Sequence, residues 1–589
     1  MTAREIKSDS PAAKPDWRPY ALVAFIGAAL FILRLVAPPN LLDQDQERPA
    51  AYVLDAIKNG HWLWAYDLSG DVASKPPFYT WLVAGLALLG GRLTIFSLYL
   101  PGALGVLGSA WLLLASGRKY FGPRAALFGA LASILTSAGI KALGLARTDA
   151  VFAFTVTAAA LLAWCAWNRG KGWIWFWLMA AIATLTKGPL GLVLAGGGLL
   201  AWFWEKKSGA PLPLRGSQWA GVGMFFLLTG GLFYLAWQEL GPPLITKVIG
   251  KELVGQALAG GARKQYLPGM LIWQQPLYYL GRAAPWSFLA YYGLWRIWKR
   301  PATETSERRF ERFLFCWFVA GLAIFSIAPH QRADLLWPIM PAGALIAGRE
   351  LARLTQRWKD RVVFGALAGV LVIVLVGFGI YYGQIRAKTG VVRRSVAVRE
   401  LAAKLDAVAG TEAPLTYLDA IRPRQTDAPA ALQAYLNVFR RPVSAERAAD
   451  LLRGPAAAFV VLDNSERLAA VRRPDDPPLF TVLRDETDSG LKTQIIGNRP
   501  AFAGNENVVF AYGPLQVQLR DARLLLATDR ELRVQAHSES SSVTIINESS
   551  EPHPFRVITK YGEFGDEQQR VLAAQETWVV ARRNVRSKD

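Results

Sequence analysis

The sequence contains very little cysteine and histidine. Its 589 residues include two cysteines and four histidines. Cys165 and Cys316 lie in separate apolar stretches, so neither a disulfide framework nor a cysteine-based metal site is expected. The histidines show no spacing typical of metal ligands, and the sequence has no Walker-type phosphate-binding loop. These absences argue against a nucleotide-driven pump and leave nucleotide-sugar chemistry without a visible binding loop.

Acidic residues are scarcer than basic ones, with 45 Asp and Glu against 66 Lys and Arg, and the formal net charge is +21. A charge this basic can indicate nucleic-acid binding. Here, however, the basic residues cluster in short loops between apolar runs, which is the pattern that the positive-inside rule produces. We therefore expect no nucleic acid as a partner. The chain also lacks a recognisable internal repeat or low-complexity tract.

Apolar sequence is abundant: 52% of the residues are hydrophobic, among them 22 Trp and 28 Phe. Runs of about 20 apolar residues, each long enough to cross a bilayer, recur through the first two thirds of the chain. The sequence thus predicts a polytopic α-helical membrane protein with about 11 spans. No small-residue cleavage site follows the first apolar run, so we expect that run to be kept as an anchor.

Basic loops, taken as cytoplasmic, order the spans and place the N-terminus inside and the C-terminal third outside. Among the predicted continuous spans, one covers about 125–143 and another about 277–295. Phe78 to Gly91 is short for crossing and is expected to be an interfacial or re-entrant segment. The predicted domains are a cytoplasmic tail over 1–17, a transmembrane domain over 18–385 with an extracytoplasmic loop over 37–93, a periplasmic α/β domain over 386–500 and a β-rich, sandwich-like domain over 501–589.

Beyond residue 386 the composition is that of a soluble region in which helical and strand patterns first alternate and strands then dominate. The predicted helices cover 392–408, 429–436 and 445–452, and the predicted strands cover 415–418, 457–462, 508–512, 515–519 and 542–546.

A polar segment over 41–82 follows the first span and is too polar to lie in hydrocarbon. Asp45, Arg48, Tyr52 and Asp55 recur at helical spacing, and an apolar set forms a second face. Pro49 is tolerable only near a helix start, so Asp45 should lie at or just before the first turn. The segment therefore predicts an amphipathic helix on the membrane surface. Its apolar face is Ala50, Val53, Leu54 and Ile57, and its end is Asn59-Gly60.

This segment resembles the first extracytoplasmic loop of the GT-C glycosyltransferases. The similar branch is bacterial and includes the aminoarabinose transferases of lipid A and relatives of the protein mannosyltransferases. Its pattern reads D-E-x-R-Y, a helix, G-x-W and then E-K-P-P. The chain departs from it at Gln46, Pro49 and Ser74, where the family has an acid, a tyrosine and a glutamate. It matches at Asp45, Arg48, Gly60, Trp62, Lys75, Pro76 and Pro77.

Three later stretches resemble further motifs of the same family. Ala146-Arg147-Thr148-Asp149 is similar to its A-R-x-D, and Leu185-Thr186-Lys187-Gly188-Pro189 matches its L-T-K-G-P. Arg332, Pro338 and Pro341 fit its K/R-x-x-Y-x-L-P-x-x-P, with Leu335 in place of the tyrosine. In the outer loop over 239–270, Arg263 and Lys264 stand near a position where relatives usually have a histidine.

The resemblance implies an inverting glycosyltransferase of the bacterial cytoplasmic membrane that uses a polyprenyl-phosphate-linked sugar at the periplasmic face. This chemistry needs a carboxylate to take the acceptor's proton or stabilise the cationic sugar, and cations to offset the departing phosphate. The implied catalytic residues are Asp45 and Asp149. The implied donor-phosphate-binding residues are Lys75, Lys187, Arg332 and Arg48, and candidate acceptor or loop contacts are Arg263, Lys264 and His330.

Each of these residues also has a simpler interpretation. Asp45 could be the N-cap of the helix that begins there, and Asp149 could only pair with Arg147. The two lysines could reach lipid head groups, and His330 could be a solvated turn residue. Asp43 and Asp45 form a D-x-D, so a divalent metal, Mg²⁺ or Mn²⁺, stays open, although no cofactor is certain.

The expected acceptor is lipid A or another glycolipid, and a protein or a surface polysaccharide is the alternative within the same fold. A lipid or glycan transporter or flippase, a different class, would require paired polar residues and broken helices at mid-membrane. A membrane-anchored sensor or scaffold would leave Asp45, Lys75 and Lys187 at one surface unexplained. Because these charges gather at one predicted membrane edge, the sequence favours a transferase.

Overall fold

The structure, a computed structural model, divides into two compact units. The first unit is Met1–Val36, Ser74–Tyr79 and Tyr99–Gly379, and the second is Ala37–Ala73, Thr80–Leu98 and Ile380–Asp589. The structure describes residues 16–212, 218–254, 272–328, 331–409, 415–418, 427–454, 458–462, 466–473, 476, 480–484, 493–498, 502–503, 507–512, 515–519, 532–536, 542–547, 553–559, 568–573 and 576–581.

The first unit is helical. Its helices are α1 (Arg18–Val36), α4 (Ile95–Phe121) from Tyr99 onward, α5 (Pro123–Ile134), α6 (Ser137–Ala142), α7 (Asp149–Arg169), α8 (Trp173–Lys187), α9 (Leu190–Gly196), α10 (Trp202–Glu205), α11 (Trp219–Leu240), α12 (Pro242–Leu244), α13 (Gln274–Arg282), α14 (Trp286–Lys299), α15 (Thr305–Ile327), α16 (Met340–Leu354) and α17 (Asp360–Ile380). 3-10 turns cover Gly197–Ala201, Lys206–Ser208 and Ala333–Ile339, and a π-helix covers Ile245–Val254.

Several of the described helices are long and apolar enough to cross a membrane, which makes the chain a multi-pass membrane protein. The predicted total of about 11 spans stays a prediction. Within the described part of the chain, six helical stretches reach 18 residues with sufficient hydropathy: Arg18–Val36, Ile95–Phe121, Asp149–Arg169, Trp219–Leu240, Thr305–Ile327 and Asp360–Lys388. Shorter apolar helices are Phe78–Leu89, Pro123–Ile134 and Trp173–Lys187.

Two predicted continuous spans are interrupted. The span expected over 125–143 divides into α5 and α6 because the hydroxyl of Thr136 accepts a 2.8 Å hydrogen bond from the Gly139 N–H and so starts a new helix. The span expected over 277–295 divides into α13 and α14, and Pro285 lies immediately before α14. Proline lacks the N–H that a helix interior requires, so a break there is expected.

Helix packing in the first unit depends on small residues at close contacts and on aromatic rings elsewhere. A Cβ added at Gly348 in α16 would lie 2.3 Å from the backbone nitrogen of Gly129 in α5, so the two backbones touch. The buried ring of Trp164 in α7 packs against Phe310 and Phe313 of α15, with centroid distances of 5.1 Å and 5.3 Å. These contacts hold α16 against α5 and α7 against α15.

The second unit contains α2 (Glu47–Asn59), most of α3 (Phe78–Leu89) and, from α18 onward, helices and three sheets. The first sheet has the order β2-β1-β3-β5-β4, with β1 parallel to β2 and β3. The others have the orders β13-β10-β9 and β12-β11-β8-β7-β6, and all their described pairs are antiparallel. The helices are α18 (Gly390–Ala409), α19 (Asp427–Leu436), α20 (Ala445–Arg453) and α21 (Glu466–Val471).

Five of the thirteen strands described in the second unit begin within two residues of a predicted strand, namely β1, β3, β7, β8 and β10. The thirteen strands are β1 (Leu415–Leu418), β2 (Pro442–Val443), β3 (Phe459–Leu462), β4 (Phe480–Arg484), β5 (Gln494–Gly497), β6 (Phe502–Ala503), β7 (Asn507–Tyr512), β8 (Leu515–Leu519), β9 (Leu532–Ala536), β10 (Ser542–Asn547), β11 (His553–Thr559), β12 (Gln568–Leu572) and β13 (Thr577–Ala581).

Helix α2 ends where the sequence predicts, because Gly60 adopts a left-handed conformation with φ 78°. Its expected division into a polar and an apolar face is wrong. Tyr52 and Asp55 are as buried as the apolar residues, and of the predicted polar set on the helix only Arg48 is exposed. The reason is that His61, the Tyr66 N–H and the side-chain amide of Asn59 satisfy the Asp55 carboxylate inside the unit.

Candidate active site

The ends of α7 and α8 bring an acid and a base together in the first unit. Asp149 is the first residue of α7 and Lys187 is the last residue of α8, and these neighbouring helices pack side by side. The ammonium of Lys187 donates to Oδ1 of Asp149, and it also lies 5.7 Å from the centre of the Phe152 ring. Asp149 is buried, with a side chain that is 3% exposed. Such a buried carboxylate requires charged partners.

Asp149 has a second cationic partner, Arg147, so the simpler interpretation of this residue as half of an ion pair is present in the structure. Arg147 Nε lies 3.0 Å from Asp149 Oδ2, and its NH1 donates across 2.9 Å to Oδ2 of Asp334. Arg332 NH2 lies 3.3 Å from the same oxygen of Asp334. We refer to Lys187, Asp149, Arg147, Asp334 and Arg332, in which cations and carboxylates alternate, as the charge row.

Two more lysines lie near the charge row. Lys75 is near enough to Lys187 for their charges to repel, and Lys141 is near enough to Asp334 to attract it. The row and these lysines together hold five cations and two carboxylates. Burial alone would raise the pKa of the Asp334 carboxyl, but the guanidinium of Arg147 outweighs burial and holds that pKa below its ordinary value. The excess of positive charge suits an anionic ligand.

The turn after α8 fixes the position of Lys187. Gly188 has φ 103° and ψ −179°, a conformation that residues with a side chain rarely adopt, and its N–H donates to the carbonyl of Thr184 across 2.7 Å. Pro189 then starts the next helical segment. The Gly-Pro turn of the sequence motif therefore ends α8 directly at its lysine.

Asp45 and Arg48 belong to the second unit, at the start of α2. Both residues are exposed. The N-cap position of α2 is Gln46, so the interpretation of Asp45 as the helix N-cap is wrong. Gln44 and Asp45 both have positive φ, 62° and 56°, although neither is glycine. Strained backbone of this kind is concentrated at functional sites.

The residues around Asp45 hold this strained turn in place. The side-chain amide of Gln46, the residue that replaces the family's second acid, donates to the carbonyls of Asn40 and Asp43 at 2.9 Å and 2.8 Å. The carboxylate of Asp43 accepts a hydrogen bond from Arg386. Asp43 is therefore engaged by a guanidinium, and among the described residues no group of three potential metal ligands occurs. The structure thus offers Asp43 and Asp45 no third protein ligand within the described part of the chain.

A carboxylate–histidine pair that sequence reasoning did not identify follows α2. Both carboxylate oxygens of Asp55 lie 3.0 Å from Nδ1 of His61. The carboxylate also accepts a 2.7 Å hydrogen bond from the Tyr66 N–H. This pair explains how α2 buries an acid. Helical spacing predicted that Asp55 lies on a polar face. Nothing in the sequence indicated that His61, in the loop after α2, would pair with it.

The structure brings three of the sequence-predicted site residues into one row, namely Asp149, Lys187 and Arg332, with Lys75 nearby. Asp334 and Lys141 were missed, and the only available signal was that Asp334 lies two residues after Arg332 in a predicted outer turn. Arg263, Lys264 and His330 lie outside the described residues.

The chain is similar in sequence and in fold to known membrane glycosyltransferases. The model of the dolichyl-phosphate-mannose-protein mannosyltransferase family matches residues 74–229, a range that includes Lys75, Lys141, Arg147, Asp149 and Lys187. An uncharacterised protein of Aquifex aeolicus is 26% identical over 344 residues, covering 55% of this chain and 62% of that protein. An undecaprenyl phosphate-alpha-4-amino-4-deoxy-L-arabinose arabinosyl transferase of Proteus mirabilis is 25% identical over 379 residues, covering 60% of this chain and 65% of that protein.

The crystal structure of ArnT from Cupriavidus metallidurans bound to undecaprenyl phosphate superimposes with a TM-score of 0.62 at 18% identity, covering 83% of this chain and 98% of that one. The chain shares the fold of this ArnT. In sequence it is similar to the aminoarabinose transferases. It spans less than two thirds of the length of the first two curated relatives.

Proposed function

We propose that the protein is an inverting glycosyltransferase that moves a sugar from a polyprenyl-phosphate donor to an acceptor in the bacterial cell envelope. The reaction is placed at the periplasmic face of the cytoplasmic membrane, with the N-terminus cytoplasmic and the C-terminal region periplasmic. The observation that carries the proposal is the charge row, in which cations outnumber carboxylates at the adjoining ends of two apolar helices.

Displacement of a phosphate from an anomeric carbon builds negative charge on the departing oxygen. Pre-arranged cations stabilise that charge without reorganising during the reaction. In this proposal Lys187 and Arg332 bind the phosphate, with Lys75 as a further cation. Asp149 and Asp334 position these groups, because each carboxylate is already shared between two cations. Asp149 therefore takes a positioning role here rather than the catalytic role that the resemblance implied.

The acceptor must lose a proton when it attacks the sugar, and the proposal assigns this proton to the Asp45 carboxylate. Asp45 is exposed, does not occupy the helix N-cap and lies on strained backbone, which are properties of a residue not used to stabilise its own helix. Arg48, exposed on the first turn of the same helix, is assigned to the donor phosphate.

The relatives support a polyprenyl-phosphate donor. The Proteus mirabilis relative is named for undecaprenyl phosphate and aminoarabinose, and the Cupriavidus metallidurans protein was crystallised with undecaprenyl phosphate. The proposed acceptor is lipid A or another glycolipid, as the sequence resemblance to the aminoarabinose transferases of lipid A implies. A protein acceptor is the second candidate, because the matching family model is that of protein mannosyltransferases.

The decisive experiment compares the envelope lipids, glycans and proteins of three strains by mass spectrometry. The strains carry the wild-type protein, no protein, or Asp45→Asn. We expect both defective strains to lose the same sugar-sized mass from one acceptor and to accumulate the polyprenyl-phosphate sugar. The class of molecule that loses the mass identifies the acceptor.

Two outcomes would contradict parts of the proposal. If Asp45→Asn behaves as wild type while the deletion changes the envelope, Asp45 does not accept the proton. If no donor accumulates in the deletion strain and no acceptor changes mass, the transferase assignment is wrong, and a transporter of lipid or glycan becomes the better interpretation.

A further inference from the structure

Helix α15 carries two clusters of arginine and glutamate near its N-terminus, away from the charge row. Because α15 has 23 residues, its first turn lies about 30 Å from its last turn, which precedes Arg332. One cluster, here called the balanced cluster, has equal numbers of each charge: Arg296, Arg349, Arg353, Glu307, Glu311 and Glu350. The other, here called the basic cluster, has three arginines around one carboxylate: Arg308, Arg309, Arg312 and Glu205.

The balanced cluster is a network of ion pairs that joins neighbouring helices. Arg349 bonds to Glu311 and lies 3.2 Å from Glu350, and Arg296 also reaches Glu350 at 3.2 Å. Both Arg349 and its glutamate partners Glu311 and Glu350 are almost fully buried. Its acids and bases neutralise one another, so it offers no net charge to a ligand.

The basic cluster is different because its single carboxylate cannot occupy all of its donors. Glu205 is fully buried and receives Arg308 Nε at 3.2 Å and Arg312 NH1 at 2.6 Å, while Arg309 Nε lies at 3.6 Å. Three guanidiniums carry many more N–H donors than two carboxylate oxygens can accept. Each arginine side chain remains about one fifth exposed, although Nε of Arg309 and Nε of Arg312 are buried and Arg309 NH2 donates to the Ser208 carbonyl across 3.5 Å. A ligand can therefore reach only the outer N–H groups of these guanidiniums.

Further charge near the basic cluster is also mainly positive. Lys206 and Lys207 directly follow Glu205 and are exposed. A further acid among the described residues, Glu304, lies near Arg308 and is engaged by the N–H groups of Ser306 and Glu307 at 2.9 Å and 2.6 Å. The cluster and its surroundings thus contain five cations and two carboxylates.

Aromatic rings place the basic cluster at the level of a membrane–water interface. Arg312 stacks over Trp204 at 5.3 Å, and Trp204 contacts the exposed Trp298 at 5.2 Å. Lys206 lies 5.6 Å from the centre of the exposed Phe203 ring. Tryptophan and lysine beside apolar spans are typical of the head-group region of a bilayer.

We propose that the basic cluster is a binding site for the head group of an anionic phospholipid, with Arg309, Lys206 and Lys207 contacting the lipid phosphate. Glu205 aligns Arg308 and Arg312 without neutralising the site. Basic pockets between membrane helices bind anionic lipid head groups in this way. This inference is independent of the proposed function, since it concerns different residues at the other end of α15.

The test is retention of added lipid by the full-length purified protein, measured by native mass spectrometry. Dioleoyl phosphatidylglycerol is the anionic probe and dioleoyl phosphatidylcholine is the zwitterionic one. We expect the wild-type protein to retain the anionic lipid preferentially, and Arg309→Gln to lower that retention about fivefold, the change expected for one basic residue near a membrane surface. Arg309 is chosen because it has the longest contact with Glu205.

Arg353→Gln is the matched control, because Arg353 belongs to the balanced cluster and is similarly accessible, at 31% of its side chain. It should retain the anionic lipid as the wild type does. A second variant combines Lys206→Gln with Lys207→Gln and leaves the arginine–glutamate contacts intact. If Arg309→Gln does not give a folded protein, the lipid retention of this lysine variant tests the proposal. Equal retention of the two lipids by the wild type, unchanged retention in the lysine variant, or an equal loss in Arg353→Gln would overturn the proposal.

Discussion

Lys187 donates a hydrogen bond to Asp149, joining the last residue of α8 to the first residue of α7. An acid at a helix N-terminus and a base at a helix C-terminus are both favoured by the helix dipole. The pair therefore stabilises the helical hairpin whatever its part in catalysis. Substitution at each position separately distinguishes the structural contribution from the functional one.

Asp149→Asn should act mainly on stability. It leaves Lys187 and Arg147 beside a neutral amide in a buried position, and loss of one partner from a buried ion pair costs about 3 kcal/mol. We expect a clear drop in the unfolding temperature in detergent, measured by intrinsic fluorescence. Unchanged stability would mean that water or another group already compensates these two cations.

Lys187→Gln should act mainly on turnover. Asp149 keeps Arg147 as a partner, so the loss of stability is smaller, whereas removal of a cation from the departing phosphate should lower the rate of sugar transfer about 100-fold. The control is Lys171→Gln, which changes an exposed lysine before α8 and should leave the rate unchanged. A Lys187→Gln protein with normal turnover would remove this lysine from the proposed mechanism.

Gly188→Ala tests whether the backbone of the turn positions Lys187. A Cβ at this position meets no atom within 4 Å, so the only penalty is the φ of 103°. We expect a loss of about 2 kcal/mol in stability together with reduced transfer. Gly196→Ala is the matched control, because its Cβ also meets no atom within 4 Å but its φ is −78°. The two variants should differ, and equal behaviour would show that the turn relaxes.

Asp334 provides a pH-dependent contribution to stability. Since its folded pKa is lowered by Arg147, its contribution is present above the pKa of an unfolded aspartate, about 4, and is lost as the pH falls through the lower folded pKa. Wild type should therefore be more stable than Asp334→Asn at pH 7 and at pH 5, and the difference should shrink below about pH 4. A difference that is independent of pH would indicate a steric rather than an electrostatic effect.

Gly348→Ala tests the close contact of α16 with α5. The added methyl group would lie 2.3 Å from the Gly129 nitrogen, so the helices must separate, and overpacking of this kind costs about 2 kcal/mol. Gly365→Ala in α17 meets no atom within 4 Å and should raise stability slightly, because alanine favours a helix by about 1 kcal/mol over glycine. Thermal unfolding of both proteins in the same detergent gives the comparison.

Local features of this fold were predictable from sequence, whereas long-range contacts were not. The end of α2 at Gly60 and strand β1 follow from residue propensities and spacing, which act over a few residues. The break between α5 and α6 depends on one threonine inside an apolar run, where hydropathy gives no signal. The predicted span boundaries put Asp149 at the start of one helix and Lys187 at the end of the next, where α7 and α8 have them. The second carboxylate of the charge row, Asp334, required the three-dimensional packing of a distant turn.

The arrangement of charge on α15 determines the rotation of this helix about its own axis. Glu307 and Glu311 meet arginines of α16, while Arg308 and Arg312, each one residue further along, meet Glu205. A rotation by one residue, about 100°, would turn Arg308 and Arg312 toward those arginines. Burial of apolar surface around α15 is non-directional and by itself would not fix this rotation. The helix therefore has one electrostatically allowed orientation, and substitutions that reverse charge there should produce misassembled rather than merely less stable protein.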